Sequence, residues 1–458
     1  MAFSGAKDLT TGKPMRLVVG FALPLFVGVL FQQLYSFVDT AVVGRFLGAD
    51  KLGAVGATAS VNFLIVGFCL GICSGFAVPV AQRFGAGDYS EMRRFVMNAI
   101  YMIGVIGLLL GVTTALLCPQ ILTLMRTPEN FIHDSVAYIR IIFAAIPITM
   151  VYNMAAGILR SLGDSKTPVV FLVIAALINV ALDLLFILKF NMGVAGAAWA
   201  TAISQLISGI GCVWVLVKRF PLLRPEQDEK RVSKKHMKVL VSMGFPMGLQ
   251  FSITAVGAVV LQGAVNGISD EAVSAIAAGS KLSSLFSCVY DALAMTMTTF
   301  AGQNLGAGKP ERIGKGLLAT GILGTAWSLA AMAVLWTLGP VFTGLFVDPA
   351  EQKVTQLTCL MLRINSAFYI PLLLVNIVRL SIQGMGFTPV AMIAGATEMV
   401  SRALVALFLV PVAGFEGACY ASPVAWVAAD LFLIPCYLIL IRKMIRKKNA
   451  GMMPVKSA

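Results

Sequence analysis

Five carboxylic acids lie inside apolar stretches that are long enough to cross a membrane: Asp39, Asp183, Asp291, Glu398 and Asp430. Placing an ionised acid at that depth costs about 2.5 to 3.5 kcal/mol or more. An acid that is present despite this cost needs an explanation. The two general explanations are a structural ion pair and a binding site for a proton, a metal cation or a cationic ligand.

Four oxygen-bearing side chains share one depth. Counted along their helices, Asp39, Asp183 and Thr201 each lie about 8 to 10 Å inward from the outer end of a predicted span. Asn179 is one helical turn from Asp183 on the same face. Such a group can hold a small hard cation, or a proton, because burial and mutual repulsion disfavour two ionised carboxylates. The alternative is structural: Asp183 only bonds Asn179, and Asp39 ends its helix near water.

The other three acids favour different interpretations. Glu398 and Arg402 are four residues apart and predict an ion pair within one helix. Asp291, with Gln250, is a candidate for the substrate cavity, since an acid there would attract a cationic compound. Asp430 is expected to be satisfied by a neighbouring helix.

The composition requires a membrane to surround these residues. Of 458 residues, 58% are hydrophobic and 12% charged, and mean hydropathy is +0.88. Soluble proteins have about 45 to 50% apolar and 25% charged residues, so a soluble enzyme is excluded. Apolar runs of about 20 residues predict twelve spans, at 17–44, 53–80, 94–117, 135–159, 168–188, 194–217, 239–266, 273–300, 315–338, 356–380, 388–410 and 418–441.

The basic residues predict the orientation. Outside the spans, Lys and Arg concentrate on one side, and the other side has only Arg45, Lys51, Arg126, Lys189 and Lys353. The positive-inside rule then places both termini in the cytoplasm. The net charge of +14 therefore reflects orientation towards anionic lipid, and no nucleic-acid partner is expected.

The two halves of the chain repeat each other. Motifs recur at an offset of about 221 residues: Pro24 with Pro246, Gly85-Ala86-Gly87 with Gly306-Ala307-Gly308, Thr167-Pro168 with Thr388-Pro389, and Gly196-Ala197 with Gly417-Ala418. The predicted fold class is an all-α polytopic membrane protein of twelve helices, in two six-helix lobes related by a pseudo-twofold axis along the membrane normal. The predicted segments are a cytoplasmic stretch 1–16, lobes 17–217 and 239–441, a basic linker 218–238 and a basic tail 442–458.

Residues for enzymatic chemistry are scarce. The eight Cys residues contain no Cys-x-x-Cys pair, and there are only two His. Neither a zinc site nor a disulfide framework is supported. We therefore expect no enzyme, no cofactor and no bound metal beyond a possible sodium ion.

Several motifs resemble the multidrug and toxic compound extrusion (MATE) family over nearly the whole chain. They are Pro24 followed by QQLYSFVDTAVVG at 32–44, AQRFGAGD at 81–88 with its counterpart GQNLGAGK at 302–309, and GILRSLGDSKTPV at 157–169. The NorM-type branch of that family has acids in spans seven and ten. This chain has none there, offering Thr254, Gln262, Asn365 and Asn376 instead, which favours the DinF-like branch.

The resemblance implies roles for individual residues. Asp39, Asn179, Asp183 and Thr201 match the sodium or proton site of the DinF-like branch, and Tyr35, Tyr138 and Asn153 resemble polar residues that line the same lobe. Pro24 removes a hydrogen bond from the first span and favours a kink, so that helix could bend when Asp39 changes charge.

The function implied is secondary antiport by alternating access: export of organic, mainly cationic, compounds in exchange for inward H⁺ or Na⁺. The expected partners are small organic substrates and the lipid bilayer, with a monomer as the functional unit. The expected location is the plasma membrane, which is the inner membrane in a Gram-negative source. The alternative is a flippase for a lipid-linked saccharide or other amphiphile. That function predicts several bases in the cavity, whereas the bases within the spans are few, chiefly Lys281, Arg363, Arg379 and Arg402.

Overall fold

The computed structural model describes residues 6–125, 127–344, 346–347 and 351–451. Their regular structure is helical: α1 Pro14–Leu47, α2 Ala49–Ala57, α3 Ala59–Ala86, α4 Tyr89–Leu124, α5 Glu129–Ala144, α6 Ile146–Ser161, α7 Lys166–Leu184, α8 Gly193–Arg219, α9 Lys234–Asn266, α10 Asp270–Gly306, α11 Pro310–Thr343, α12 Gln352–Ala367, α13 Tyr369–Gly384, α14 Thr388–Leu404, α15 Val410–Cys419 and α16 Ala421–Asn449. Two π-helical turns, Leu185–Lys189 and Val405–Leu409, and a 3₁₀ turn, Pro221–Leu223, complete the set. Arg126, the first five residues and the end of the predicted tail, 452–458, lie outside the described residues.

Ten of the helical segments are long and apolar enough to cross a membrane, and two bent helix pairs bring the total to as many as twelve. The predicted all-helical polytopic fold is therefore confirmed. One predicted span is displaced: span two, expected at 53–80, is α3 at Ala59–Ala86, and a separate short helix, Ala49–Ala57, precedes it. Thr58 separates them and bonds back to the Val55 carbonyl through both its amide and its hydroxyl.

The two bent pairs correspond to predicted spans four and ten. α5 and α6 meet at 46° and α12 and α13 at 54°. A proline follows each bend, Pro147 in α6 and Pro371 in α13. Proline cannot donate the backbone hydrogen bond that would continue the preceding helix, so both bends have a local cause in the sequence.

The repeated Gly-Ala-Gly motif ends one helix and starts the next. Gly87 follows α3 with a left-handed φ of 75°, and Asp88 then caps α4 by accepting from the Glu91 amide at 3.1 Å. In the second copy, Gly308 has a φ of 67°. Pro310 then begins α11, a first-turn position that suits proline because no hydrogen-bond donor is needed there.

The described residues form two compact units. The first contains 6–9 and 27–248, and the second contains 10–26 and 249–451. The predicted lobe limits are 17–217 and 239–441. In the structure, residues 10–26 pack with the second unit and residues 218–248 with the first. Within the first unit, α3 and α9 approach closely at glycines: a Cβ on Gly71 would lie 2.5 Å from the Met247 carbonyl oxygen. Small residues at this spacing allow such close contact between membrane helices.

The linker, residues 218–238, is held to the start of α4 by side-chain hydrogen bonds inside the first unit. Glu229 is buried and accepts from Arg93 Nε at 2.6 Å and from the Ser90 hydroxyl at 2.7 Å. The hydrogen bond from Arg93 is the main reason that the pKa of Glu229 falls to about 2. His236 adds a contact of 3.1 Å between its Nε2 and Glu91. The linker segment therefore packs as part of the first unit.

Candidate cation site

Asn179 and Asp183 lie one turn apart on α7, and both are fully buried in the first unit. With its nitrogen towards Asp183, the Asn179 amide donates to Asp183 Oδ2 at 2.9 Å and its oxygen accepts from the Thr201 backbone amide at 3.1 Å. With the amide reversed, its nitrogen lies 3.3 Å from Thr201 Oγ1. Its oxygen then faces Asp183, which requires a proton on that carboxyl group.

α1 completes the site from the other side. Its Asp39 carboxyl group lies within hydrogen-bonding reach of Asp183. Tyr35, one turn earlier on α1, forms a side-chain hydrogen bond with Thr201 of α8. The structure therefore brings together all four residues that the sequence placed at one depth.

One oxygen of each of these two carboxyl groups lacks a hydrogen-bond partner among the described residues. Asp39 Oδ1 and Asp183 Oδ1 are enclosed, and neither receives a hydrogen bond from the described residues. Tyr138 of α5, also buried, interacts electrostatically with both acids and with Tyr35. No cationic side chain of the described residues forms an ion pair with Asp39 or Asp183. A proton or a small cation would relieve the repulsion between the two acids of such a pair.

The second unit repeats the surrounding backbone without the site. A π-helical turn follows Asp183 at Leu185–Lys189, and another lies at Val405–Leu409. At the repeat offset, the positions of Asp39, Asn179 and Asp183 are occupied by apolar residues, namely Leu261, Val400 and Leu404. π-helical turns occur frequently at functional sites, but at these three positions only the first copy carries acids.

A polar cavity of about 160 Å³ lies in the first unit. Two predicted residues, Tyr35 and Asn153, line it, and further polar lining residues are Gln32, Thr149, Tyr152, Ser204, Gln205 and Ser208. The sequence reasoning did not select these residues, although amides within apolar spans such as Gln32 and Gln205 are a usable signal. Sites for drug-sized ligands occupy about 300 to 1,000 Å³, so the cavity in this conformation accommodates only part of such a ligand.

Three predicted residues lie elsewhere. Pro24 is in the part of α1 that packs with the second unit, about 22 Å along the helix from Asp39, and α1 continues through it without a break. Gln250 is buried and accepts a hydrogen bond from Gln383 at 2.6 Å. Asp291 lies on α10 of the second unit, and its carboxylate forms no ion pair with the described residues. Asp291 and Gln250 belong to the second unit, whereas the residues of the cation site belong to the first.

The predicted pair of Glu398 and Arg402 is confirmed at 3.5 Å. Arg379 of α13 is a second and closer partner of Glu398, which spacing within one helix could not reveal. Arg379 and Arg402, two of the bases named in the sequence analysis, therefore each pair with an acid.

The sequence pattern of the MatE family matches twice, at residues 24–185 and 246–408. A probable multidrug resistance protein of Bacillus subtilis, YpnP, is 28% identical over 76% of this chain and 77% of its own length. A protein of Shewanella oneidensis named FAD transporter is 28% identical over 66% of this chain and 68% of its own. A solved structure described as the outward-facing conformation of a multidrug resistance MATE family transporter shares the fold, with a TM-score of 0.90, 21% identity and coverage of 95% and 98%. The family pattern covers well over half of the sequence, and the chain therefore belongs to the MatE family, the multidrug and toxic compound extrusion transporters.

Proposed function

We propose that the chain is a secondary antiporter of the plasma membrane, with both termini cytoplasmic, that exports organic and mainly cationic compounds in exchange for inward H⁺ or Na⁺. The observation that carries the proposal is the facing pair Asp39 and Asp183, each with an enclosed oxygen that no described group satisfies. One positive charge moving inward is worth about 2.3 kcal/mol per 100 mV of membrane potential. When one monovalent cationic compound leaves for each ion that enters, no net charge moves, so the concentration gradient of the ion supplies the energy. The membrane potential contributes when the substrate is neutral or more than one ion enters.

The arrangement supports competition between ion and substrate. An ion bound by Asp39 and Asp183 would reduce the negative charge of the two acids that the described residues place at this site, and the polar cavity shares Tyr35 with it. We propose that ion binding alters α1 at Tyr35 and lowers the affinity of this region for substrate. Release of the ion restores that affinity, so the two bind alternately as the site is exposed to each side of the membrane in turn.

The side chains of the site can bind either H⁺ or Na⁺, but Na⁺ needs more oxygen ligands. One proton shared by the two acids lowers the charge of the pair from −2 to −1 and removes their mutual repulsion without rearrangement. Sodium prefers several oxygen ligands, and the Asn179 oxygen is available to it only when the amide turns away from the Thr201 amide. The reversed orientation, in which the Asn179 oxygen faces Asp183, is the one that a proton on Asp183 stabilises. Asp39, Asp183, Asn179 and Thr201 would supply the ligands if the ion is Na⁺.

Transport by the purified chain in liposomes separates the two ions. Efflux of a cationic dye is measured under an imposed pH gradient without sodium, and then under a sodium gradient at equal pH. Because one relative is named an FAD transporter, FAD is measured beside the dye. Acceleration by either gradient supports antiport, and acceleration by the pH gradient alone identifies the proton. Transport of either substrate that responds to neither gradient would rule out the proposed coupling.

A further inference from the structure

The second unit contains a buried cluster of four charged side chains that the cation site does not use. Arg379 lies on α13, Glu398 and Arg402 on α14, and Asp430 on α16. Arg379, Glu398 and Asp430 are only 7%, 3% and 7% exposed. Two positive and two negative groups would balance if all were ionised, but the contacts among them are unequal.

Glu398 has two cationic partners. Asp430 has one, Arg379, which also pairs with Glu398. Glu398 contacts Arg379 directly and lies 3.5 Å from Arg402. The electrostatic partner of Asp430 is Arg379, yet no ion pair within 4 Å joins them among the described residues. Asp430 Oδ1 and the Nε of Arg379 are enclosed without a hydrogen-bond partner in the same set.

Other charged groups near α16 do not compensate Asp430. Glu311 of α11 pairs with Lys448, about 27 Å along α16, and Lys353 of α12 pairs with Glu271. The other charged residues on helices that pack against α16 do not contribute to the electrostatic interactions of Asp430: Arg312, Lys315, Arg363 and Glu416. On α16 itself, the nearest titratable oxygen is the enclosed hydroxyl of Tyr437, two turns away.

We propose that Asp430 is a second proton-binding site of the chain, at which a proton and the guanidinium of Arg379 alternate as partners of one carboxylate. A buried carboxylate without a close cation is neutralised by a proton. Arg379 can turn from Glu398 to Asp430 without leaving Glu398 unpaired, because Arg402 remains on Glu398. A sodium ion does not fit this place, since the neighbouring guanidinium groups would repel it.

Proton occupancy would then control a connection between helices. With Asp430 protonated, Arg379 links α13 to α14 through Glu398. With Asp430 ionised, Arg379 links α13 to α16. This site is separate from Asp39 and Asp183, which belong to the first unit, so it can exist whether or not those residues couple transport.

Infrared difference spectroscopy over a pH titration tests the proposal without a transport assay. The full chain, labelled with ¹³C at the aspartate side-chain carboxyl groups, is reconstituted in liposomes. We expect a protonated-aspartate carbonyl band that disappears in Asp430→Asn and remains in the double variant Asp39→Asn/Asp183→Asn. Asp228→Asn, which changes an acid of the linker, is the control for labelling and yield.

A second variant changes the same band without removing Asp430. Arg379→Gln takes away the only cationic partner of that carboxylate, so the band should persist to a higher pH, by about one unit or more. It also covers the case in which Asp430→Asn does not fold. A protonated-aspartate spectrum that is the same in folded Asp430→Asn as in the parent chain, or unaltered by Arg379→Gln, would show that Asp430 binds no proton and would overturn the proposal.

Discussion

Asp39 of α1 and Asp183 of α7 lie within hydrogen-bonding reach of each other inside the first unit, and each keeps one enclosed oxygen that no described residue donates to. Two ionised acids in this position would repel each other in a region that disfavours charge. The pair therefore favours a bound positive charge, which is the physical basis of the proposed coupling between an ion and transport.

Asn179 should affect ion binding by that pair. Asn179→Leu removes the donor to Asp183, and a hydrogen bond to a charged group contributes about 1.5 to 3 kcal/mol. We expect gradient-driven efflux to fall by roughly tenfold or more. Asn376→Leu is the matched control, because the Asn376 amide donates to the Leu372 carbonyl of its own helix. Equal efflux in the two variants would separate Asn179 from ion coupling.

Filling the polar cavity should block substrate without removing the acids. Ala176 lines the cavity, and Ala176→Phe would crowd it, with an overpacking cost of about 1 to 3 kcal/mol. We expect weaker dye binding, measured by fluorescence titration. The neighbouring residue Leu177 is 67% exposed, so Leu177→Phe should bind dye like the parent chain. A normal affinity in Ala176→Phe would place the substrate elsewhere.

Glu229 should keep the linker docked over a predictable pH range. Its pKa is lowered from about 4.5 to about 2 by Arg93, so its stabilising contribution is complete above about pH 4.5 and is lost as the pH falls towards 2. At neutral pH, Glu229→Gln should expose residues 220–233 to faster proteolysis, by about tenfold. Glu226→Gln, an exposed acid of the same linker, should be cleaved at the parental rate. Parental cleavage of Glu229→Gln would mean that other contacts hold the linker.

Gly163 should tolerate no side chain. It has a φ of 86°, and a Cβ there would overlap the Lys7 carbonyl group, while Gly12 has a similar φ of 87° with open space around it. Alanine in the left-handed region costs about 1 to 2 kcal/mol at either position, and Gly163→Ala adds the overlap. We expect Gly163→Ala to lower thermal stability more than Gly12→Ala. The reverse order would contradict the close packing of the N-terminal segment at this turn.

The sequence predicts the helical architecture well because hydropathy and length decide which segments cross a membrane. The bends in spans four and ten were not predicted, although Pro147 and Pro371 were readable signals for them. The displacement of span two is less accessible, because Thr58 interrupts an apolar run without a proline or charge. Apolar character alone gives such a boundary to within a few residues.

The sequence predicts the depth of the site residues in the membrane, but not the direction in which each helix turns their side chains. Spacing placed Asp39, Asp183 and Thr201 at one level, and only the packing of α1, α7 and α8 shows that they face one another. The same limit explains Glu398, whose partner Arg402 follows from a four-residue spacing. Its closer partner, Arg379, comes from another helix, and no pattern within one helix indicates it.

Reconstituted transport by Asp39→Asn and Asp183→Asn tests the central claim most directly. Both substitutions keep the size of the side chain and remove the ionisable group. We predict that neither variant shows dye efflux accelerated by an imposed pH or sodium gradient, while dye exchange without a gradient persists and Asp228→Asn behaves like the parent chain. Full gradient-driven efflux in both variants would contradict the account.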